Sequence, residues 1–115
     1  MRVIIAGSRS ITDAALLEEA VSESGFEVSV ILCGEARGVD QLGRQWAEGR
    51  GIATESYPPE WARYGRAAGQ KRNADRAARA DALVLLWDGS SRGSANMLRQ
   101  ARKRGLRVYE RVVKP

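Results

Sequence analysis

The fold of this chain is decided by residues 83–94, which read LVLLWDGSSRGS. The five apolar residues that open this stretch predict a strand buried on both faces of a parallel sheet. A turn-rich loop follows over residues 88–93, and a helix is predicted from Ser94 to Arg104, because Gly105 supplies a stop signal. A buried strand, a polar glycine loop and a helix in this order are typical of α/β proteins.

The same succession of strand, loop and helix continues on the N-terminal side, and a last strand follows on the C-terminal side. Apolar runs bounded by glycine or proline predict further strands at residues 3–6, 26–33, 52–57 and 106–113. Helical spacing and end signals predict one helix that Thr12 or Asp13 caps and Gly25 stops, one from Val39 to Gly49, and one over residues 67–80. Residues 52–57 are the more polar run and are expected at a sheet edge, and residues 58–66 are expected to form a loop.

This alternation predicts a Rossmann-like three-layer sandwich with a five-stranded parallel sheet of order 3-2-1-4-5. In such a sheet a ligand binds beyond the carboxyl ends of the strands, where the strand order reverses. We therefore expect the functional loops to follow the strands, around the switch between strands 1 and 4.

Composition restricts the class of protein. The chain has 115 residues and 29% charged residues, which predicts a single globular domain over residues 1–115. Its apolar runs are too short for a membrane span or a secretory signal, so we expect a cytoplasmic protein without a membrane partner. Cys33 is the lone cysteine and histidine is absent, which excludes an internal disulfide, a cysteine zinc site and catalytic triads built on histidine. We accordingly predict no metal held by the protein's own ligands.

The positive charge is unevenly distributed. The chain has 19 Lys and Arg against 14 Asp and Glu, a net charge of +5, and the excess of base lies in residues 58–115. Arginine suits phosphate and carboxylate better than lysine does, so an anionic partner is one explanation. A solvated helical surface rich in arginine explains the composition equally well.

The loops after strands 1 to 4 all combine glycines with an arginine, and most add hydroxyl groups. Glycine lets a ligand approach the backbone, and hydroxyls and helix N-termini favour anions. These loops are residues 7–10, 34–40, 61–73 and 88–94. Each is ordinary turn chemistry on its own, but their convergence indicates a phosphate-bearing small molecule or a nucleic-acid backbone. Neither G-x-G-x-x-G nor a Walker A motif occurs, which argues against a standard NAD dehydrogenase or P-loop kinase.

Motifs along nearly the whole chain resemble one known family. They are MRVIIAGSR at 1–9, G-x-ARGVD at 34–40, P-x-W-x-x-YG at 59–65, AG-x-x-RN at 68–73, and ADAL at 80–83 running into WDG-x-S-x-GS at 87–94. In this order they resemble the YspA, cpYpsA-related branch of the SLOG superfamily, which is similar to proteins of bacteria and their phages. The superfamily joins the DprA/Smf proteins to the Lonely Guy phosphoribohydrolases. The resemblance thus implies a Rossmann-like fold and a nucleotide-derived ligand.

The chain departs from the Lonely Guy pattern at two positions. Those enzymes carry a catalytic glutamate in a Pro-Gly-Gly-x-Gly-Thr-x-x-Glu loop, and the matching position here is Met97, which cannot move a proton. Arg72 matches their catalytic arginine, but Asn73 stands where they have a lysine. Residues 36–40 look like the phosphate-contacting loop of DprA, although Glu35 adds a negative charge beside it.

The loops and the resemblance together predict a set of site residues at the carboxyl edge of the sheet. Asp88 and Arg72 are the candidate catalytic residues. The candidate ligand-binding residues are Gly7, Ser8, Arg9, Gly34, Arg37, Gly38, Asn73, Gly89, Ser91, Gly93 and Ser94, with Trp61 and Tyr64 as aromatics that could stack on a base or pack their loop onto the sheet.

Several of these residues keep more than one interpretation. Asp88 could bind a ribose hydroxyl, coordinate Mg²⁺ beside a phosphate, act as a base, or only cap its turn. Arg37 could contact a ligand phosphate or form a salt bridge with Asp40 or Asp88. Arg76 and Arg79 follow Arg72 at helical intervals and are interpreted as a solvated stripe or a subunit contact.

The leading hypothesis is a module that binds, and in one version hydrolyses, a nucleotide-derived molecule that bears phosphate. Hydrolysis would use Asp88 or Glu35 to activate water, with Mg²⁺ as an optional cofactor. The alternatives are a single-stranded nucleic-acid-binding module related to DprA and a phage protein that engages a host factor. Superfamily members often pair through helices, so a homo-oligomer is expected.

Overall fold

The apolar run at residues 82–87 forms a central strand of the sheet in the computed structural model, which describes residues 1–114. All five strands are parallel, and the predicted order 3-2-1-4-5 is confirmed. The strands are β1 (Arg2–Gly7), β2 (Val30–Cys33), β3 (Ala53–Ser56), β4 (Ala82–Trp87) and β5 (Arg107–Val112). Every residue of β4 is buried, as its uninterrupted apolar sequence predicts.

Helices cover both faces of this sheet. They are α1 (Ala14–Ser24), α2 (Val39–Gly49), α3 (Trp61–Tyr64), α4 (Ala68–Arg79) and α5 (Arg92–Lys103), with a 3-10 turn over Gly65–Ala67. The start of α1 is the predicted one, because Asp13 Oδ1 accepts a hydrogen bond of 2.9 Å from the N–H of Ala15. Its end is also the predicted one, because Gly25 adopts a φ of 70°.

Three boundaries differ from the sequence prediction. The second strand begins at Val30, not at Phe26, because residues 26–29 reach the sheet as irregular chain with Phe26 packed against the core. The last helix begins two residues before Ser94, because the side chain of Ser91 caps it by accepting from the N–H of Ser94. The expected loop over 58–66 contains the short helix α3, none of whose residues is buried.

Two cores form because successive strand residues point to opposite faces of the sheet. Ile5 and Val84 belong to the cluster that also contains residues of α1 and α2. Ile4 and Leu85 belong to the cluster that contains residues of α4 and α5. The sheet is therefore held from both sides, and its carboxyl edge lies between the two helical layers. Within residues 1–114, no helix combines the length and the apolar character that crossing a membrane requires.

Candidate functional site

A cleft of about 430 Å³ opens at the carboxyl ends of β1 and β4, where the strand order reverses. This is the position that the alternation of strands and helices predicts for a ligand. The residues that line the cleft and that the sequence also singled out are Gly7, Ser8, Arg9, Arg72, Asn73, Asp88, Ser91, Gly93 and Ser94. They come from β1 and its loop, from α4, and from the loop that joins β4 to α5.

Two glycines allow the loops around the cleft to come together. A Cβ at Gly7 would overlap the carbonyl oxygen of Leu86, so β1 and β4 can approach this closely only because residue 7 is glycine. Gly38 has a φ of 71°, and a Cβ there would lie 2.6 Å from the carbonyl oxygen of Arg9. The loop after β2 is therefore in direct backbone contact with the loop after β1.

The remaining sequence-predicted residues lie outside the cleft. Gly34 lies behind its wall, where its carbonyl accepts a hydrogen bond from Arg72. Arg37 is exposed and lines an adjoining groove. Gly89, with a φ of 87°, forms the turn after β4 and lies near Val112.

The two aromatic residues of the predicted set also lie away from the cleft. Trp61 is 55% exposed on α3, and Tyr64 is half-buried with the guanidinium of Arg63 5.1 Å from its ring centroid. Neither side chain lines the cleft. In the structure of residues 1–114, neither Trp61 nor Tyr64 is therefore in position to stack on a base bound in the cleft.

A buried cluster of charges forms one wall of the cleft. Arg76 is 1% exposed and Asp40 is 5% exposed, and Arg76 Nη1 lies 3.6 Å from Asp40 Oδ1. Arg72 Nη1 lies 3.9 Å from the other carboxylate oxygen, Oδ2. One carboxylate therefore faces two guanidinium groups. The interpretation of Arg76 as part of a solvated stripe is wrong, because its side chain fills the space between α4 and the sheet, where Nη1 approaches the Leu32 carbonyl at 3.5 Å.

The side chain of Asn73 connects this cluster to α5. Its Nδ2 donates to Asn96 Oδ1 at 3.0 Å and to the Gly93 carbonyl at 3.2 Å. Its Oδ1 accepts a 3.0 Å hydrogen bond from Arg76 Nη2. The amide that the sequence suggested as a ligand contact is thus used to orient the buried guanidinium and to join α4 to the start of α5.

Several buried polar atoms at the cleft have no hydrogen-bond partner within residues 1–114. They are Nε of Arg72, Nε of Arg76, Oγ of Ser94 and Oδ1 of Asp40. Buried polar groups are nearly always satisfied in native proteins, so a group of unsatisfied donors in one cleft is unusual. Three of the four atoms can donate, which favours an acceptor-rich occupant.

Burial raises the energy of the positive charges in this cluster. It lowers the pKa of the Arg76 guanidinium, and the charge of Asp40 opposes that change. Burial likewise lowers the pKa of Arg72, where Asp40 acts in the opposite direction and Arg9 adds a small further decrease. Both guanidiniums keep their charge, because arginine is not deprotonated in proteins. The cluster is therefore a region of uncompensated positive charge.

Asp88 closes the turn between β4 and α5. Its Oδ1 accepts hydrogen bonds from the N–H groups of Ser90, at 2.9 Å, and Ser91, at 2.8 Å. These backbone hydrogen bonds lower the pKa of the Asp88 carboxyl. Its own N–H donates to Ser8 Oγ at 3.0 Å, which joins this turn to the loop after β1. The turn-capping interpretation is thus present in the structure, and the carboxylate also lies at the rim of the cleft.

Glu35 does not place a free negative charge in the cleft. It has a φ of 63°, a left-handed conformation that is uncommon outside glycine, and its Oε1 lies 2.7 Å from Arg44 Nη2. The hydrogen bond from Arg44 lowers the pKa of Glu35. The charge of Glu35 is therefore neutralised by Arg44 and not by Arg9 or Arg37.

The floor of the cleft includes Met97, which is 1% exposed. Its thioether has no proton to give or take in the pH range of proteins. Within residues 1–114, no three or more acidic or cysteine side chains cluster so that they could hold a metal ion.

Comparison with known proteins places the chain in a family. A family model described as the YspA, cpYpsA-related SLOG family matches residues 1–64, more than half of the chain. The chain belongs to this family. It is also similar to the Gene 61 protein of Mycobacterium phage D29, with 31% identity over 123 residues that cover 99% of this chain and 98% of the relative. The resemblance read from the sequence motifs is thereby confirmed.

A solved structure shares the fold of this SLOG protein. DNA processing protein A (DprA) from Streptococcus pneumoniae superposes with a TM-score of 0.75 over 95% of this chain, at 19% sequence identity. The chain covers 49% of that protein, so it corresponds to about half of DprA. At this identity the likeness establishes the Rossmann-like fold and nothing finer.

One part of the site escaped sequence reasoning. Arg76 and Asp40 form the centre of the buried cluster, yet neither was among the predicted site residues. A signal was present in α4: residues 73, 76 and 77 lie on its buried face, and this face is short of large apolar side chains. Such a face needs a long side chain to fill it, and the aliphatic stem of arginine can do so.

Proposed function

We propose that this protein binds a nucleotide-derived small molecule that bears phosphate, in the cleft between β1 and β4. The observation that carries the proposal is the pair of guanidiniums of Arg76, which is buried, and Arg72, which is partly buried; they share the single carboxylate of Asp40. A phosphate beside them supplies the missing negative charge and accepts from the unpartnered Nε atoms.

The energetics support an anionic ligand over a neutral one. Burying a charge without full compensation costs several kcal/mol, and part of that cost is recovered when a counter-charge arrives. Ser94 Oγ is buried, unpartnered and part of the same cleft, so it can donate a third hydrogen bond. These three donors belong to residues that line one cleft, and donors of this kind suit the oxygens of a phosphate group. Ser8, Ser91 and the backbone at Gly93 line the same cleft and complete a polar surface for the rest of the ligand.

We propose binding as the main activity. Met97 stands where the resemblance to Lonely Guy enzymes expects a catalytic glutamate, and it is buried in the cleft floor. Asp88 uses Oδ1 for two backbone hydrogen bonds, which makes its carboxylate a weaker base. If the ligand is processed, Arg72 and Asp88 are the residues positioned at the cleft to carry the reaction. Release of free base from nucleoside monophosphates, followed by chromatography, measures that activity directly.

Thermal unfolding with added ligands tests the proposal. The protein is heated with AMP, ADP, ADP-ribose or NAD at millimolar concentration, at constant ionic strength. A ligand at about 100 times its Kd stabilises the folded state by about 2.7 kcal/mol, which raises the melting temperature by several degrees. Adenosine, which has no phosphate, is the control and should produce no shift. The absence of a shift with every phosphate compound would overturn the proposal.

A second candidate function is binding of single-stranded nucleic acid. Trp61 is the most exposed large apolar side chain of residues 1–114, and Arg63 and Arg66 lie near it in the chain. Exposed aromatics next to arginines are typical of surfaces that stack bases and contact phosphates. The neighbour DprA is named as a DNA processing protein. This candidate predicts affinity for a labelled oligonucleotide that falls steeply as salt rises, and that Trp61→Ala weakens.

Two further proposals concern protein partners. A similar protein occurs in a mycobacteriophage, which supports the hypothesis of a phage protein that engages a host factor. We also propose that the protein forms a homo-oligomer, which light scattering coupled to gel filtration tests by measuring the mass in solution.

A further inference from the structure

The cleft continues into a second depression, which we call the outer groove. It has a volume of about 670 Å³ and is lined by Arg9, Ser10, Glu35, Ala36 and Arg37. Arg9, Ser10 and Ala36 also line the cleft, so the two spaces are continuous. A ligand seated in the cleft can therefore extend into the outer groove without leaving the protein surface.

Two free cations lie in the outer groove. Arg9 and Arg37 are both exposed, and neither makes an ion pair or a side-chain hydrogen bond with any residue in the range 1–114. The carboxylate that could neutralise them is Glu35, but Arg44 holds it at 2.7 Å. Positive charge is thus left available at this position.

The backbone fixes these two arginines near each other. Gly38 follows Arg37, and its tight contact with the Arg9 carbonyl brings the loops after β1 and β2 together. The N–H of Val39 donates to the carbonyl of Ser8 at 3.4 Å, which fastens the same junction. The proximity of Arg9 and Arg37 therefore follows from the backbone of the two loops and does not depend on their flexible side chains alone.

The inner arginines differ from this outer pair in burial. Arg76 is 1% exposed and is oriented by Asn73, whereas Arg9 and Arg37 extend into solvent. A single phosphate on the inner pair leaves the outer pair without an anion, although the charge of Arg9 is the smallest of the three influences on the pKa of Arg72. Two groups of arginines therefore lie along one continuous surface.

We infer that the ligand carries a diphosphate group, with one phosphate on Arg72, Arg76 and Ser94 in the cleft and the next on Arg9 and Arg37 in the outer groove. This inference rests on the proposed function and makes it narrower. The chemistry is that of a nucleoside diphosphate or of a diphosphate that bridges two nucleoside-like parts.

Calorimetric titration with paired probes tests this inference. The probes are inorganic phosphate and pyrophosphate, AMP and ADP, and ADP-ribose as a bridged diphosphate. In each pair, we expect the diphosphate to bind at least about tenfold more tightly than the monophosphate, because it gains two charge-assisted contacts. Tighter binding of ADP than of ADP-ribose identifies a ligand with a terminal diphosphate. Tighter binding of ADP-ribose identifies a ligand with a bridging diphosphate.

A double variant tests whether the outer groove is the source of the tighter binding of the diphosphate. In Arg9→Ala/Arg37→Ala the preference for the diphosphate should disappear, so that the affinities of diphosphate and monophosphate within each pair differ by no more than about threefold. The matched control is Arg99→Ala/Arg104→Ala, which removes the same charge from exposed positions at α5. That control should keep the preference.

The outcomes separate the two proposals. If AMP binds the unaltered protein but ADP and pyrophosphate gain nothing, the diphosphate inference is overturned and the proposed function stands. If the gain persists in Arg9→Ala/Arg37→Ala, or is equally lost in the α5 control, the assignment of the outer groove is overturned. If no phosphate compound binds the unaltered protein, both proposals fail.

Discussion

Arg76 Nη1 lies 3.6 Å from Asp40 Oδ1 inside the protein, and both side chains are almost completely removed from solvent. The pair links α4 to the first turn of α2 across the carboxyl edge of the sheet. Arg72 approaches the same carboxylate at 3.9 Å, so Asp40 is the anion on which two cations depend. The stability of the protein and the charge of its cleft therefore depend on the same side chain.

Asp40→Asn is expected to destabilise the fold strongly. It leaves the buried guanidinium of Arg76 and the partly buried guanidinium of Arg72 without a counter-charge, and breaking a buried pair in this way costs about 3–5 kcal/mol. Urea denaturation followed by circular dichroism measures the change. The control is Glu18→Gln, which removes an exposed ion pair with Arg50 and should cost less than about 1 kcal/mol.

If Asp40→Asn does not fold, the double variant Asp40→Leu/Arg76→Met keeps the test decisive. Apolar residues of similar volume remove the Asp40–Arg76 pair together and leave only the partly buried Arg72 without its carboxylate, so this variant should be folded and more stable than the single one. Equal destabilisation by Asp40→Asn and Glu18→Gln would contradict the account of the cluster.

Ser94→Ala is expected to separate binding from stability. Ser94 Oγ is buried without a partner among residues 1–114, so its removal should leave the free energy of unfolding unchanged or raise it by up to about 1 kcal/mol. If the hydroxyl donates to a phosphate, the affinity for AMP should fall about tenfold. Calorimetry and urea denaturation on the same preparation give both quantities. Ser22→Ala, an exposed serine of α1, should alter neither.

Gly38→Ala is expected to open the junction between the loops after β1 and β2. Gly38 has a φ of 71°, and an added Cβ would clash with carbonyl oxygens of Ser8 and Arg9. Gly51 has a φ of 66° but has no atom within 4 Å of an added Cβ, so Gly51→Ala measures the cost of the backbone conformation alone. That cost is about 1 kcal/mol, and we expect Gly38→Ala to exceed it by about 1–3 kcal/mol. Equal losses in urea denaturation would show that the close approach has no energetic role.

The ion pair between Arg2 and Glu55 predicts that the stability of the fold decreases at acidic pH. Arg2 donates to both oxygens of Glu55, at 2.8 and 2.7 Å, and these hydrogen bonds lower the pKa of Glu55 below its ordinary value of 4.5. A carboxyl whose pKa is lower in the folded state contributes stability above its unfolded pKa, and the contribution is lost as pH falls through the folded pKa. Glu55→Gln should therefore reduce the difference in melting temperature between pH 6 and pH 3.

The control for this experiment is Glu60→Gln, which changes an exposed residue without an ion pair in the described part of the chain. It should preserve the pH dependence of the unaltered protein. A pH profile of Glu55→Gln that coincides with that of the unaltered protein would show that this pair has no measurable effect.

The sequence was sufficient for the arrangement of the sheet, for physical reasons that particular segments make clear. Leu83 to Trp87 is apolar without interruption, which only a strand covered on both sides tolerates, and β4 is indeed buried throughout. The position of the cleft followed from the strand order, and the loops that line it carry the glycines that this predicts. The right-handedness of crossover connections and the burial of apolar residues are general constraints, so they can be applied to a sequence without coordinates.

The composition of the cleft was harder to predict, because it depends on individual side-chain directions. Trp61 looked like a partner for a base, but residues 61–64 form a short helix that presents it to solvent. Arg76 looked solvated because arginine usually is, whereas the alanine-rich face of α4 left a space that its stem fills. Asn73 is predicted as a ligand contact, and the structure shows that it also orients this arginine. Each of these outcomes depended on packing between elements distant in sequence.

The register between β1 and β4 has a consequence for how the protein is made. These two strands lie on either side of the cleft, and Gly7 of β1 pairs with Leu86 of β4. The paired residues are separated by most of the chain's length. Pairing across such a separation is slow and occurs after local helices have formed. A chain emerging from the ribosome therefore has no cleft until β4 is inserted beside β1. A ligand of this cleft therefore binds only chains in which β4 already lies beside β1, and its presence during synthesis would favour these chains over less folded ones.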